Sequence, residues 1–432
     1  VLDLSEARSL DDALERVREA VRARGPGEWV LGRGWDESHW PEKRPLTRED
    51  LDRVAPETPV ALSRVDGHLL VANARALERV RVDAPPGEFD PERGLLRERA
   101  AWQFLAQVRP PEEEVERAIL AAQRLAHALG VTAVHDVVQA EHIRAYLRAK
   151  RDGKLTLRVR LNPVVELLDA FLEVGLATGF GDEELKLGAI KIFTDGSIGA
   201  RNAALLEPYT DEPSTRGKLN YAQEELNQLV RKAHEGGFQL MLHAIGDRAI
   251  EAALTALEHT GVEPGNRARI EHFELPRPEH LKRAARLGVI ASMQPNFLRW
   301  SGPKGLYEAR LGPERDRRID PHRWVLEHTV PLAFGSDGMP FGPLYGIHCA
   351  VHAPHEPQRL TVEEALRAYT RDAAYAGFDE DALGSLEPGK LADLVVLSED
   401  PTACPPERLR GIQVVKTYVA GKQVYTSESS PA

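Results

Sequence analysis

The chain has 432 residues, with 67 acidic against 56 basic side chains and a formal net charge of −11. The two signs are interleaved rather than blocked and no apolar run approaches the roughly 18 residues of a bilayer span, which argues against nucleic acid and membrane as partners. The two cysteines, Cys349 and Cys404, match no metal or disulfide spacing, and the N-terminus lacks the basic and apolar regions of a signal peptide; both fit the cytoplasm.

Ser9-Leu-Asp-Asp12 reads as a capping box, and Leu10, Ala13, Leu14, Val17, Ala20 and Val21 fall on one helical face until Gly25-Pro26 stops it. Short strands are expected at 28–33 and 59–65 around a small helix begun at Thr47, in a segment that holds Trp29, Trp35 and Trp40. A Pro/Gly loop at 83–94 leads to a helix near 95–107, so residues 25–110 read as an insertion on a larger scaffold. From 111 onward the pattern becomes regular. Helices at 112–129, 140–150, 166–178, 223–235, 247–259, 278–287 and 321–328 alternate with apolar strands at 131–135, 155–161, 187–193, 238–243, 267–272, 289–293 and 330–335. Such alternation predicts an α/β fold around a parallel sheet covered on both faces. After a helix at 361–375, strands at 390–397, 412–419 and 422–425 predict a small β-domain over 378–432, with residues 1–377 as the larger one.

Five strands end alike, in an apolar run followed by His, Lys or Asp and a polar or glycine turn: His135, Lys191, His243, His272 and Asp337. In a closed parallel barrel the C-terminal strand ends converge on one mouth, so these five would meet there. Lys191 sits inside LGAIKIF, where burial leaves two readings. Either a core carboxylate pairs with the ammonium, or the amine is neutral and reactive. Imidazoles from neighbouring strands with a carboxylate suit zinc or a similar divalent ion, whose water ionises near neutrality. Asp337 is placed to take that proton and pass it to a leaving amine. A neutral Lys191 can add carbon dioxide to become a carbamate, an oxygen ligand. Asp66 and His68 read either as substrate contacts or as a structural pair, and His135 as a residue behind the ligands or a core residue. Trp35, Gln294, Phe297 and Trp300 could wall an apolar pocket or pack in loops.

The motifs IKIFTDGSIGAR, HAIGDRAI, RIEHFEL, AFGSDGMP and LGSLEPGKLADLVVLSEDP, with GRGWDESHWP and RVDGHLLVAN upstream, resemble the amidohydrolase superfamily. Within it they are most similar to the family 3 branch of N-substituted formamide deformylase-like and exoenzyme-regulatory-protein-like members. The resemblance implies a (β/α)8 barrel, of the TIM type, with a small flanking β-sandwich, and hydrolysis of an amide, formamide or cyclic amide. An ester or lactone hydrolase, or a ligand-binding descendant without activity, are the alternatives. It also implies a site of one or two divalent ions, zinc foremost, with Lys191 as the carbamylated ligand, His243 and His272 as imidazole ligands and Asp337 as the last-strand aspartate. Small molecules are the expected partners, and a homo-oligomer is compatible.

One departure matters. The His-x-His pair that ends the family's first strand is absent, since the first histidine here is His39. Only seven βα strands are visible where a barrel of this kind needs eight. The expectation is that a segment of about 50–70 residues stands upstream, carrying sandwich strands, the first barrel strand and that pair.

Overall fold

The computed structural model describes residues 2–24, 27–85, 87–108, 112–338 and 340–427, and the chain divides into compact units of residues 1–110 and 111–432. That division differs from the expected 1–377 and 378–432. The segment at 25–110 shares a unit with the first helix, while the tail strands are tied into the second unit by buried bonds described below.

In the first unit Ser9 caps the helix Leu10–Arg22, its hydroxyl accepting the Asp12 N–H at 3.1 Å, and Leu10, Ala13, Leu14 and Val17 form the buried face. The Gly25-Pro26 stop lies outside the described residues. Strands β1 (Leu2–Asp3), β2 (Val30–Trp35), β3 (Val60–Arg64), β4 (Leu69–Ala72), β5 (Phe89–Asp90) and β6 (Leu95–Arg97) form one sheet in the order β1-β2-β3-β4-β6-β5. The first three run parallel and the rest antiparallel. Trp35 has no exposed surface and donates its indole N–H to the Leu62 carbonyl at 3.1 Å, so it is a core residue and not a pocket wall. Asp66 accepts the His68 backbone N–H at 3.1 Å and holds the buried Arg64 at 2.7 Å, and His68 Nδ1 meets Glu98 Oε2 at 2.9 Å. Both have structural partners within this sheet.

The second unit is built on parallel strands. β7 (Ala133–Val138), β8 (Arg158–Pro163) and β9 (Leu185–Leu187) make one sheet; β10 (Ile190–Phe193), β11 (Leu240–Ala244), β12 (Arg269–His272), β13 (Ile290–Met293) and β14 (Leu332–Phe334) make another. β9 leads into β10 after two residues, and a parallel bridge from Val164 to Lys191 joins the two sheets. Counted with β9 and β10 as one strand, the array has the seven positions read from the apolar runs. β7 and β14 are its end strands among the described residues. Helices such as Glu112–Ala128, Ala140–Arg151, Gln223–Glu235, Asp247–Thr260 and Pro278–Leu287 separate successive strands. Gly246 is the N-cap of the helix Asp247–Thr260, and the expected helix at 361–375 breaks at Thr370 into two.

The tail strands β15 (Leu394–Leu397), β16 (Val414–Val419) and β17 (Lys422–Thr426) pair antiparallel. They are anchored by a bidentate bond of Arg158 to Asp393, at 2.7 and 2.9 Å, and by the Thr417 hydroxyl donating to the His127 carbonyl at 2.7 Å. Arg158 and Asp393 are both buried, so removing one partner strands a charge away from water. Asp393→Ala is therefore expected to cost about 3–5 kcal/mol in urea unfolding, with much of the loss recovered in an Arg158→Met/Asp393→Leu double variant. Coincident unfolding curves for D393A and the parent would show that the tail is not anchored there. No helix among the described residues is long and apolar enough to cross a membrane.

Candidate metal centre

Lys191 lies mid-strand on β10, in register with Met241 of β11, and is 4% exposed. It makes no ion pair or hydrogen bond among the described residues, and its Nζ stands 4.8 Å from the centre of the Phe193 ring. This removes the reading of a core lysine neutralised by direct contact with a carboxylate. Burial pulls the amine below its ordinary pKa, against a weaker opposing pull from the charges of Glu271 and Asp337.

His243 ends β11 and His272 ends β12, with ring centres 4.5 Å apart and planes at 69°. Each ring is held by a partner that fixes its proton. His243 Nε2 meets the Gly196 carbonyl at 3.1 Å; a carbonyl only accepts, so Nε2 carries the hydrogen and Nδ1 the lone pair. Gln294 donates its amide to the Ser292 carbonyl at 3.1 Å, which turns its oxygen toward His272 Nδ1 at 2.7 Å and leaves the lone pair on Nε2. Two imidazoles with oriented lone pairs are the usual state of metal-ligating histidines.

Three residues at these strand ends hold left-handed backbone despite having side chains: His272 at φ 74°, Phe273 at φ 49° and Asp337 at φ 50°. Each such position costs on the order of 1–3 kcal/mol and persists only where the surroundings impose it, a pattern concentrated at functional sites. Lys191, His272, Gln294 and Asp337 line one cavity of about 920 Å³ with largely apolar walls, among them Phe334, Phe341 and Leu344. Among the described residues no three His, Cys, Asp or Glu side chains converge as ligands on one point. Lys191, whose amine has no direct carboxylate contact among the described residues, lines the same cavity as His272.

The other expected site residues are placed differently, although His135 also lines this cavity. His135 is mid-strand, because the apolar run continues through Val137 and Val138, and its Nδ1 accepts from Arg269 Nη1 at 2.8 Å. Trp300 and Phe297 are buried, and Phe297 stacks on His272 at 5.9 Å with planes 9° apart, backing the imidazole rather than lining the cavity. Gln294 does line the cavity, yet both ends of its amide are spent on orienting His272.

Asp195 went unread. Fully buried, its carboxylate accepts N–H groups from Ala204, Ile245 and Gly246 at 2.8–3.0 Å and lies 3.4 Å from His243 Nε2. It ties the loop after β10 to the end of β11 and so presents the Gly196 carbonyl to His243. An Asp-Gly step at a strand end reads as a turn in sequence, which hides this role. Glu271 was likewise missed; it holds Arg269 at 2.8 Å and the Ser292 hydroxyl at 2.8 Å beneath the histidines. Gln294→Leu is expected to weaken divalent-metal affinity about 10–100-fold with the fold intact, read by competition with a chelating dye. An unchanged affinity would show that Gln294 does not set the His272 tautomer.

The model of the amidohydrolase family matches residues 1–425. YtcJ of Bacillus subtilis is 32% identical over 98% of this chain and 85% of its own length, and N-substituted formamide deformylase of Arthrobacter pascens is 28% identical over 98% and 83%. Among solved structures, uncharacterized metal-dependent hydrolases of Pyrococcus furiosus and Pyrococcus horikoshii superpose with TM-scores of 0.73 and 0.76 at 32% and 30% identity. They cover 93% and 94% of this chain, which spans 83% of each.

Proposed function

Since the chain belongs to the amidohydrolase family and is a hydrolase by that membership, we propose that it cleaves a non-peptide carbon–nitrogen bond in a small molecule, with a divalent metal bound at Lys191, His243 and His272. The substrate class is an amide, an N-substituted formamide or a cyclic amide, in keeping with the formamide-cleaving relative. The observation that carries the reading is Lys191, a buried amine without an acidic partner beside two histidines whose lone pairs are already aimed.

We read the parallel array as the wall of a (β/α)8 barrel whose remaining position lies between β14 and β7, since each of those strands has a neighbour on one side only. The tail strands then belong to a flanking sandwich. On this reading the C-terminal strand ends form the mouth. When bound there, the ion, zinc by the donor chemistry, polarises the scissile carbonyl and makes water acidic. The chain's own residues do the rest. Lys191 Nζ, its proton loosened by burial, would lose that proton and bond through its lone pair to the carbon of carbon dioxide, and loss of a second proton would leave a carbamate anion on the strand. Gln294 and the Gly196 carbonyl keep the imidazoles from rotating, so no reorganisation is needed at reaction. Asp337, on the cavity wall, takes the proton of the attacking water and delivers it to the departing nitrogen, whose C–N bond breaks as the amine leaves. The apolar walls exclude bulk water and accept the substrate's carbon framework.

Elemental analysis of purified protein should find at least one equivalent of divalent metal, lost in a His243→Ala/His272→Ala double variant, with turnover on a panel of N-aryl formamides, amides and cyclic amides. Metal retained by the double variant, or turnover confined to esters, would reject the proposal.

A further inference from the structure

A second cavity, of about 400 Å³, lies at the opposite, N-terminal ends of the strands and is lined by His135, Arg160, Lys186 and Arg269. Its rim includes Gly179 and Gly265, where an added Cβ would meet nothing within 4 Å, so the space opens outward. Arg160 and Lys186 share one carboxylate: Asp379 accepts from Arg160 at 2.6 and 2.9 Å and from Lys186 Nζ at 2.6 Å. Arg269 gives its Nε–H to Glu271 at 2.8 Å. Three cations against two carboxylates leave a positive charge without a matching anion, in a place where burying it unmatched is unfavourable.

His135 does not add to that charge, and its state is fixed by geometry. Its Nδ1 accepts from Arg269 Nη1, so the ring hydrogen sits on Nε2 and the imidazole is a neutral donor on the cavity wall. Burial and the nearby positive charges of Arg269, Arg160 and Lys186 hold its pKa down at about 3, with Asp379 pulling the other way. Lys186 Nζ spends one of its three hydrogens on Asp379 and is the most exposed of the cations, with side-chain exposure of 20% against 5% for Arg160 and 6% for Arg269. The cavity thus combines uncompensated positive charge, a neutral N–H donor and an ammonium with hydrogens to give. That combination selects an anion with several acceptor oxygens.

We propose that this cavity binds a small oxyanion, a phosphate or carboxylate group, with Lys186 Nζ and His135 Nε2–H as donors and Arg160 and Arg269 as the surrounding positive field. Lys191, His243, His272 and Asp337 do not line it, whereas His135 and Arg269 stand between it and the larger cavity and border both. The site stands whether or not the hydrolytic reading does.

The test is thermal unfolding of the full chain in inorganic phosphate and, separately, in acetate, each against chloride at matched ionic strength. At about ten times the dissociation constant, a site of this kind raises the midpoint by about 1.5–2 °C. Phosphate responding alone, or acetate alone, identifies which oxyanion the site takes. Lys186→Gln should remove the response and Lys186→Arg should keep it. A parent that responds to neither anion, or a K186Q protein that responds as the parent does, overturns the proposal. If K186Q does not fold, parent crystals soaked in selenate decide: anomalous density within hydrogen-bond reach of Lys186 supports the site, and an empty cavity overturns it.

Discussion

Lys191→Met is expected to abolish hydrolysis, by on the order of 10³-fold or more, while leaving metal-stripped protein more stable than its parent. On the proposed function, the loss would follow from removing the carbamate oxygen that Lys191 contributes to the donor set, an electrostatic element of the transition state. The gain follows from linkage. Burial holds the Lys191 amine below its ordinary pKa, so the unfolded chain takes up that proton more readily than the folded one as pH falls. The penalty begins as pH drops below the unfolded value of roughly 10.4, grows until the folded pKa is reached and stays constant below it. Methionine fills similar space without a charge, so the advantage of K191M should be present at neutral pH and fade above the ordinary lysine range. Urea titrations of both proteins across that range, after chelation, measure it. A destabilised K191M would mean that the lysine is paired after all. Partial recovery of hydrolysis by acetate or propionate, which can place a carboxylate where the carbamate stood, would tie the activity loss to the missing oxygen ligand.

Asp337→Asn should lower kcat by about 10²–10⁴-fold with little change in KM or stability, the size associated with losing a positioned general base. The substitution suits the backbone, since asparagine is among the residues that best tolerate the left-handed conformation held at φ 50°. An amide cannot accept the proton of water, and the acidic limb of the kcat/KM profile should therefore vanish with the rate. A variant within a factor of a few of the parent would move the proton transfer to another group. Equal metal content in D337N and the parent is the control that separates proton transfer from metal loss.

The βα alternation was legible because strands covered on both faces are continuous apolar runs, and such runs marked every position of the array. The strand end itself was legible where the apolar run broke, as at His272, the last residue of β12. At His135 the strand continues through Val137 and Val138, so the residue is mid-strand rather than at the strand end, while still bordering the cavity that Lys191 and His272 line. Aromatic residues misled for a different reason. Trp35 and Trp300 have the composition of a pocket wall, but composition does not distinguish a ring that faces a cavity from one that backs a neighbouring element. The groups that orient His243 and His272, Asp195 and Gln294, were illegible in those roles because they depend on loops that meet only in the fold: Asp195 binds N–H groups about 50 residues away, and Gln294 reaches back 22 residues to His272.

The left-handed positions at His272, Phe273 and Asp337 set two selections at odds. In a library randomised at these codons and sorted only for resistance to proteolysis, glycine should rise at all three, because it adopts such φ values without steric penalty. Sorted instead for turnover, the same library should retain histidine at 272 and aspartate at 337 and admit glycine at 273 alone. The difference in enrichment at each codon would then rank how much folding free energy the chain forgoes to keep its reactive groups where they are.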